Sequence, residues 1–388
     1  MSRRVAIIGG VGWYGFRPVV EEASFREMMF EAATRAYEDA GGLNPRTDVD
    51  AFASCQEDFW EGIAIADEFA PEPIGGTLKP VFTTPGDGLQ CVANAYMMIK
   101  TGQFDIVAVE SHAKPSDIIN MHDVMLFAMD PITIRAINTP NYHALAALEA
   151  QAYMTRYNVP REALAYVVVK NKRNALYNDK ASYGANLTID EVLNSPYAVS
   201  PLTKLDIAPF VDAAVVVVLA SEDVARRYTD TPPVWVDGIH WITEDPSLEF
   251  HNWEFPVHAM RAAEAAYKMA GIQDPIKELH FAEVDARYSF KELQFIEALK
   301  LAPIGEAHKL LLEGAFDRDG LFPVNPSGGA LGEGVPLEVH GLARLVNAVL
   351  QLRGGEAGRM QLSKAEKAVV HSWRGVPTTT SVVAVLSR

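Results

Sequence analysis

Glu31–Gly41 reads EAATRAYEDAG, and Arg261–Gly271 reads RAAEAAYKMAG. Six of the eleven positions are identical at a constant offset of 230, and Pro45 lies over Pro275 at the same offset. Outward from this pair the order of elements repeats. Arg4–Ile8 is an apolar run ending in glycines, and Pro233–Gly238 is its counterpart strand. Phe25, Met28, Met29, Ala32, Ala36 and Ala40 fall on one side of a helix over Ser24–Ala40. Ser24 followed by Glu27 is a capping box at its start, and Gly41-Gly42 stops it. The spacing predicts a matching helix over Val257–Ala270, stopped by Gly271. Val49–Ala53 reads as a strand, Gly88–Lys100 as a helix and Phe104–Val109 as a strand, with Gly102 between the last two. A helix around Val339–Leu352, then Arg353-Gly354-Gly355, then strand Ala368–His371 mirrors them. A duplication of this kind implies two similar α/β halves packed together. The halves divide as 1–228 and 229–388.

The stretch from His112 to about Leu205 has no repeat partner, which marks an inserted domain at about 113–205. It holds a helical segment over Tyr142–Tyr157 and many polar turns, and insertions of this size carry substrate contacts. Trp241–Phe255, with Asp245-Pro246 inside it, reads as a smaller loop.

Hydrophobic residues make up 49% and charged residues 22% of 388 positions, the ordinary globular range. The formal charge of −16 repels phosphate backbones and anionic lipid, so neither nucleic acid nor a membrane surface is an expected partner. The longest apolar run, Ala213–Ala220, has eight residues and reads as a buried strand. That is far short of the ~18 a membrane span needs. The chain begins directly on a strand, without the pattern of a secretory leader, so a cytoplasmic protein is expected. Cys55 and Cys91 are too few for a disulfide framework or a cysteine-based zinc site.

Gly10-Val-Gly12-Trp-Tyr-Gly15 fits G-x-G-x-x-G after a strand. A dinucleotide site needs the third glycine to open a helix whose N-terminus meets the pyrophosphate. Phe16-Arg17-Pro18 follows instead, and no acidic residue ends a second strand ~20 residues on. The motif is read as a flexible loop.

Four segments carry a resemblance that covers nearly the whole chain. Phe104–His112 resembles the strand that follows the nucleophile helix of thiolases. Val169-Lys-Asn-Lys-Arg-Asn174 resembles the Lys-Asn segment of their loop domain, and Asp212–Ser221 resembles their D-G-A-A-A-V-V-L strand. Asn325-Pro-Ser-Gly-Gly329 resembles the N-P-S-G-G loop of the sterol-carrier-type branch. The resemblance implies a thiolase fold, with two α/β halves in five αβαβα layers and an inserted loop domain. It implies an acyl-CoA thioester as substrate or ligand, with no covalently bound cofactor and no metal.

The same resemblance places the reactive positions. The C-x-S-G-L-Q loop corresponds to Pro85-Gly86-Asp87-Gly88-Leu89-Gln90, so Pro85 stands where the nucleophilic cysteine is expected. G-H-P corresponds to Gly334-Val335-Pro336, which puts valine at the activating histidine. H-D-C-F corresponds to Asp285-Ala286-Arg287-Tyr288, and His371-Ser-Trp-Arg-Gly375 lies at the closing glycine-rich loop. Thiolysis needs a thiolate and a base to generate it. Cys91, six residues after Pro85, reads as a buried inert thiol. The pattern is similar to the steroid side-chain aldolase subunits, which lack the nucleophile and cleave β-hydroxyacyl-CoA. Gly328-Gly329-Ala330-Leu331-Gly332-Glu333 and Gly375-Val376-Pro377-Thr378 echo their glycine loops. Those subunits carry tyrosines at the two histidine positions, where this chain has Asp285 and Val335.

Retro-aldol cleavage needs a base for the hydroxyl and donors for the thioester enolate. Asp285, His340, His371 and Asp87 are the candidate catalytic residues. Gly86, Gly88, Asn325, Gly328, Gly329 and Tyr288 are the candidate substrate-binding ones. An apolar pocket would raise the pKa of Asp285 and suit it to be the base, whereas a partner such as Arg287, or a cap near Phe290, would make it structural. His340 either acts or merely packs at a helix start. The expected function is the large subunit of a complex that makes or breaks a C–C bond in an acyl-CoA. The alternatives are a non-catalytic scaffold and a thiolase working through Cys91. Thiolases pair through the strand before the nucleophile loop, here Lys79–Thr83, so a homodimer is expected. The resemblance also implies a separate small zinc-ribbon, OB-fold subunit that helps to hold CoA.

Overall fold

The computed structural model describes residues 3–57, 68–127, 129, 141–228, 231–245, 247–375 and 380–388. Pro246 of the smaller loop and Val376, Pro377 and Thr378 of the last glycine echo lie outside the described residues.

The strands are β1 (Val5–Arg17), β2 (Ala51–Cys55), β3 (Val81–Thr84), β4 (Ile106–Ala113), β5 (Tyr197–Val199), β6 (Leu202–Thr203), β7 (Asp212–Ser221), β8 (Val234–Thr243), β9 (Phe281–Glu283), β10 (Lys367–Arg374) and β11 (Thr380–Ser387). The helices that position the site are α1 (Phe25–Asp39), α2 (Pro45–Asp48), α3 (Gly88–Lys100), α4 (Ala144–Tyr157), α5 (Arg161–Ala175), α6 (Val257–Ala270), α7 (Pro275–Glu278), α8 (Ser289–Ala298), α9 (Gly329–Glu333) and α10 (His340–Arg353).

Among the described residues, nine strands form one sheet in the order β3-β2-β4-β7-β1-β8-β11-β10-β9. Read from the middle outward, the two sides repeat. β1, β7, β4 and β2 on one side match β8, β11, β10 and β9 on the other. In both, the first two junctions are antiparallel and the outermost is parallel. The halves meet through a short β1–β8 pairing, Ala6 with Trp235 and Ile7 with Val234. The offset of 230 holds from Pro45 to Pro275, the first residues of α2 and α7, and from Ala51 to Phe281, the first residues of β2 and β9.

Burial follows the pleat and produces the layers. Even-numbered residues of β7 (Ala214, Val216, Val218, Ala220) pack with α1 on the outer face of the first half. Odd-numbered ones (Ala213, Val215, Val217, Leu219) face inward, onto a core shared with α3, α10 and the inner residues Ala368, Val370, Val382 and Ala384 of the second half. Val369, Val383 and Val385 face the other way, onto a core with α6, α8 and the inserted helices α4 and α5. The sequence of layers is α1, sheet, α3 with α10, sheet, α6: αβαβα.

One expectation fails. The Gly10–Gly15 segment is not a loop: β1 runs through it to Arg17 and pairs with β7, Gly12 opposite Val216 and Gly15 opposite Ala213. The glycines serve helix approach. A Cβ on Gly12 would lie 2.1 Å from the Ala32 carbonyl oxygen of α1. Gly238 does the same for α6, where a Cβ would lie 2.3 Å from the Ala266 oxygen. The insertion is also more helical than its turns suggest, since Val169–Asn174 lies within α5.

Candidate functional site

Between the N-termini of α3 and α10 sits Asp87. Its Oδ1 accepts from the Leu89 amide at 2.9 Å, the N-cap bond of α3. Its Oδ2 accepts from the Gly341 amide at 3.1 Å, so the same carboxyl also caps α10, which has no side-chain cap of its own. A Cβ on Gly341 would come within 1.8 Å of Oδ1, which requires glycine there. The Ser372 hydroxyl of β10 donates a third bond at 2.6 Å, and Arg287 Nη2 approaches to 3.9 Å. Burial raises the Asp87 carboxyl above its ordinary value, against the pull of Arg287 and Ser372. Asp87 thus joins three elements at the centre of the molecule.

Asp285, just past β9, is fully buried. Oδ1 accepts from the Arg287 amide at 3.0 Å and Oδ2 from the Trp373 amide at 3.2 Å. Arg287 Nε stands 3.2 Å and His340 Nε2 3.5 Å from Oδ2. The expected rise in its pKa does not occur. Burial pushes the carboxyl up, but His340, Arg287 and the Arg287 amide outweigh it and hold it below the usual value. A carboxylate with its lone pairs engaged in this way orients Arg287 better than it abstracts a proton. Arg287 is half-buried in an otherwise buried run from Phe281 to Leu299.

Burial lowers His340 to about 4, and neither ring nitrogen has a hydrogen-bond partner among the described residues. His371 is lowered to about 3, first by burial, and lies against the Phe295 ring, tilted by 49° with ring centres 4.1 Å apart. Its Nε2 lies 3.1 Å from Ser381 Oγ, which on its other side lies 2.8 Å from His258 Nδ1. No motif or periodicity points to His258. Lys291 pairs with Glu149 of the inserted α4 and lies 4.4 Å from the centre of the Trp373 ring. Burial holds its ammonium below the ordinary value despite that partner.

The candidate binding residues divide. Tyr288 is adjacent to this cluster, and its Oη lies 2.9 Å from His143 Nδ1 of the insertion. Asn325, Gly328 and Gly329 are engaged in holding the fold. Asn325 Oδ1 accepts from the Val284 amide at 2.7 Å and its Nδ2 donates to Glu292 at 2.6 Å, where Asn171 and Lys170 of α5 also converge. A Cβ on Gly328 would meet the Ala175 backbone at 2.8 Å, and one on Gly329 the Asn325 amide at 2.9 Å. Gly88 is the buried first residue of α3, where a Cβ would lie 2.7 Å from Leu342. A Cβ on Gly86 would meet Gln90 Oε1 at 2.6 Å. Pro85 is exposed, whereas Val335 is buried and paired by backbone bonds to Pro209 and Val211. Cys91 is buried within α3. Cys55, also buried, donates to the Asp87 carbonyl at 3.0 Å, and burial pushes its thiol up.

Comparison with known proteins agrees with this architecture. Residues 248–388 match the family described as thiolase C-terminal domain-like. An acetyl-CoA acetyltransferase of Methanothermobacter thermautotrophicus is 32% identical over 367 residues, covering 93% of this chain and 94% of that one. Sterol carrier protein 2 of Gallus gallus is 31% identical over 239 residues, covering 60% of this chain and 43% of its own. Among solved structures, the Ltp2-ChsH2(DUF35) aldolase superposes with a TM-score of 0.83 at 23% identity, covering 99% of this chain and 97% of that chain. The duplicated fold, the family match and the near full-length relative together place this chain in the thiolase superfamily.

Proposed function

We propose that this chain is the acyl-CoA-binding large subunit of an enzyme that makes or breaks a C–C bond by aldol-type chemistry, without an acyl-enzyme. The observation that carries the reading is the constellation at the α3 and α10 N-termini. Where a thiolase needs a thiolate and a base, this site offers a half-buried Arg287 held by Asp285 and Asp87, and its two thiols lie buried in β2 and α3. In this reading Arg287 stabilises the thioester enolate oxygen, the term that dominates such chemistry. Asp285, Asp87 and His340 fix its position, and His371 supports the Trp373 strand. The likeness to an aldolase that is a two-component assembly supports a separate small CoA-holding subunit, and the edge position of β3 supports a homodimer.

A second reading is thiolase chemistry, favoured by the name of the 32% identical relative. Mass spectrometry of purified chain with β-hydroxyacyl-CoA thioesters, beside an acetoacetyl-CoA thiolysis assay, separates the two. Cleavage of the β-hydroxyacyl thioester without thiolysis is the expected result. Thiolysis that vanishes in Cys91→Ser would establish the second reading instead.

A further inference from the structure

We propose that Tyr288 and His143 form a proton relay for the β-oxygen of the acyl-CoA, with Tyr288 touching the substrate and His143 acting through it. The proposal rests on the aldol reading of the site. The two residues come from different parts of the molecule, 145 positions apart, and meet at 2.9 Å with their rings edge to face. Each is fixed. The His143 amide donates to Asn141 Oδ1 at 2.9 Å, and its ring lies against Tyr142 with centres 3.9 Å apart. The Tyr288 backbone bridges to Ile207.

A buried tyrosine needs a partner for its hydroxyl, and a carbonyl would serve a purely structural role as well. Here the partner is an imidazole, which can take up a proton. The pair also lies at the margin of the buried cluster: Asn141, Tyr142, His143, Ala144 and Arg287 are all half-buried around it. Burial first, and then His122, hold His143 at about 4, so the ring is neutral near pH 7. With Tyr288 protonated, its hydroxyl donates to Nδ1 in the tautomer that carries its proton on Nε2.

The step balances without an oxidant or co-reactant. The substrate β-hydroxyl gives its proton to Tyr288 Oη as Tyr288 gives its own to His143 Nδ1. The Cα–Cβ bond breaks, its electron pair forms the thioester enolate beside Arg287, and the β-carbon leaves as a ketone or aldehyde. The imidazolium then returns the proton through Tyr288 to Cα. Acid–base assistance of this kind contributes on the order of 10²–10⁴-fold.

The test measures kcat and KM for cleavage of β-hydroxy-β-methylbutyryl-CoA, whose products are acetone and acetyl-CoA, and for longer β-hydroxyacyl-CoA thioesters. Tyr288→Phe is expected to lower kcat by on the order of 10²-fold or more with little change in KM. His143→Ala is expected to lower kcat less and to recover in part with added imidazole, which a structural role would not produce. The double variant should be no worse than Tyr288→Phe, because groups acting in series are not additive. His143→Asn keeps a polar group near the Nδ1 position and controls for folding. If the native chain cleaves a thioester and Tyr288→Phe keeps its kcat, or the two losses multiply, the relay is wrong and the aldol reading stands. If neither the native chain alone nor its complex with a small CoA-holding subunit cleaves any of them, the aldol reading itself falls.

Discussion

Helices α3 and α10 occupy equivalent places in the two halves, yet Asp87 heads one and His340 opens the other. The same asymmetry recurs nearby. At the offset of 230, Cys55 corresponds to Asp285 and Glu57 to Arg287. The fifth residue of β4 is Glu110, and the fifth of β10 is His371. The fifth residue of α3 is Val92, and the fifth of α10 is Arg344. The scaffold is symmetric in strand order and layer, but the polar and charged groups buried at equivalent positions differ between the halves. Duplication preserves what the backbone needs, while each half is free to change what it buries between the sheets.

The largest test of that contrast is at Arg344. It is fully buried, bonded to Glu283 at 3.2 Å and Ser327 at 3.1 Å and paired with Glu333, which Lys180 also reaches at 2.9 Å. Two carboxylates and two cations balance there. Removing one partner of a buried pair strands the other charges, at a cost of about 3–5 kcal/mol. Val92→Ala removes only apolar packing, on the order of 2 kcal/mol. Urea unfolding should therefore show Arg344→Leu losing more stability than Val92→Ala, and the reverse order would break the contrast.

A second test uses protons. The histidine at the head of α10 has no counterpart at the head of α3, so acid should strike the second half first. His340 falls from 6.5 to about 4 on folding, chiefly through burial. The native state then binds fewer protons than the unfolded chain, so the stability this residue lends is complete above about 6.5. It is lost as pH falls toward 4. The loss is roughly 3 kcal/mol at about 1.4 kcal/mol per decade. Hydrogen exchange at pH 5 and pH 7 should show β10 and α10 losing protection before β4 and α3. His340→Asn should flatten the pH dependence, and an unchanged slope would remove His340 as its source.

Much of the scaffold was legible because it rests on local signals. The repeat of Tyr37 over Tyr267 and Gly41 over Gly271, with glycine stops, located α1 and α6 and their neighbouring strands. What was missed depends on distance in space. The glycines of β1 look like a ligand loop until α1 is packed on them, since only that contact explains Gly12. Asp285 could be placed through its motif, but the sign of its pKa shift depends on His340, 55 positions later and 3.5 Å away. The pairs His143–Tyr288 and His258–Ser381 join segments 145 and 123 residues apart, and no periodicity announces such contacts.

The smallest expected effect concerns the pair of helices that first exposed the repeat. α1 begins with a complete capping box: the Ser24 hydroxyl accepts from the Glu27 amide, and the Glu27 carboxylate accepts from the Ser24 amide at 2.8 Å. α6 follows Pro256, which has no side-chain acceptor for the free amides of the first turn. Both helices lie on the outer faces of their half-sheets, and both are ended by an alanine or glycine at the C-cap. The difference between them is therefore concentrated at the N-terminus. Ser24→Ala should cost about 1 kcal/mol, within the usual cap range of about 0.5–2. Pro256→Ala has no cap to remove and should change stability by less. The Glu27 carboxyl, held below its ordinary value first by the Ser24 amide, should return toward 4.5 in Glu27-resolved NMR titration of a Ser24→Pro chain, which lacks that amide donor. A Glu27 titration unchanged by loss of the donor would show that the box is not formed in solution, and the two helices would then differ in sequence but not in how they begin.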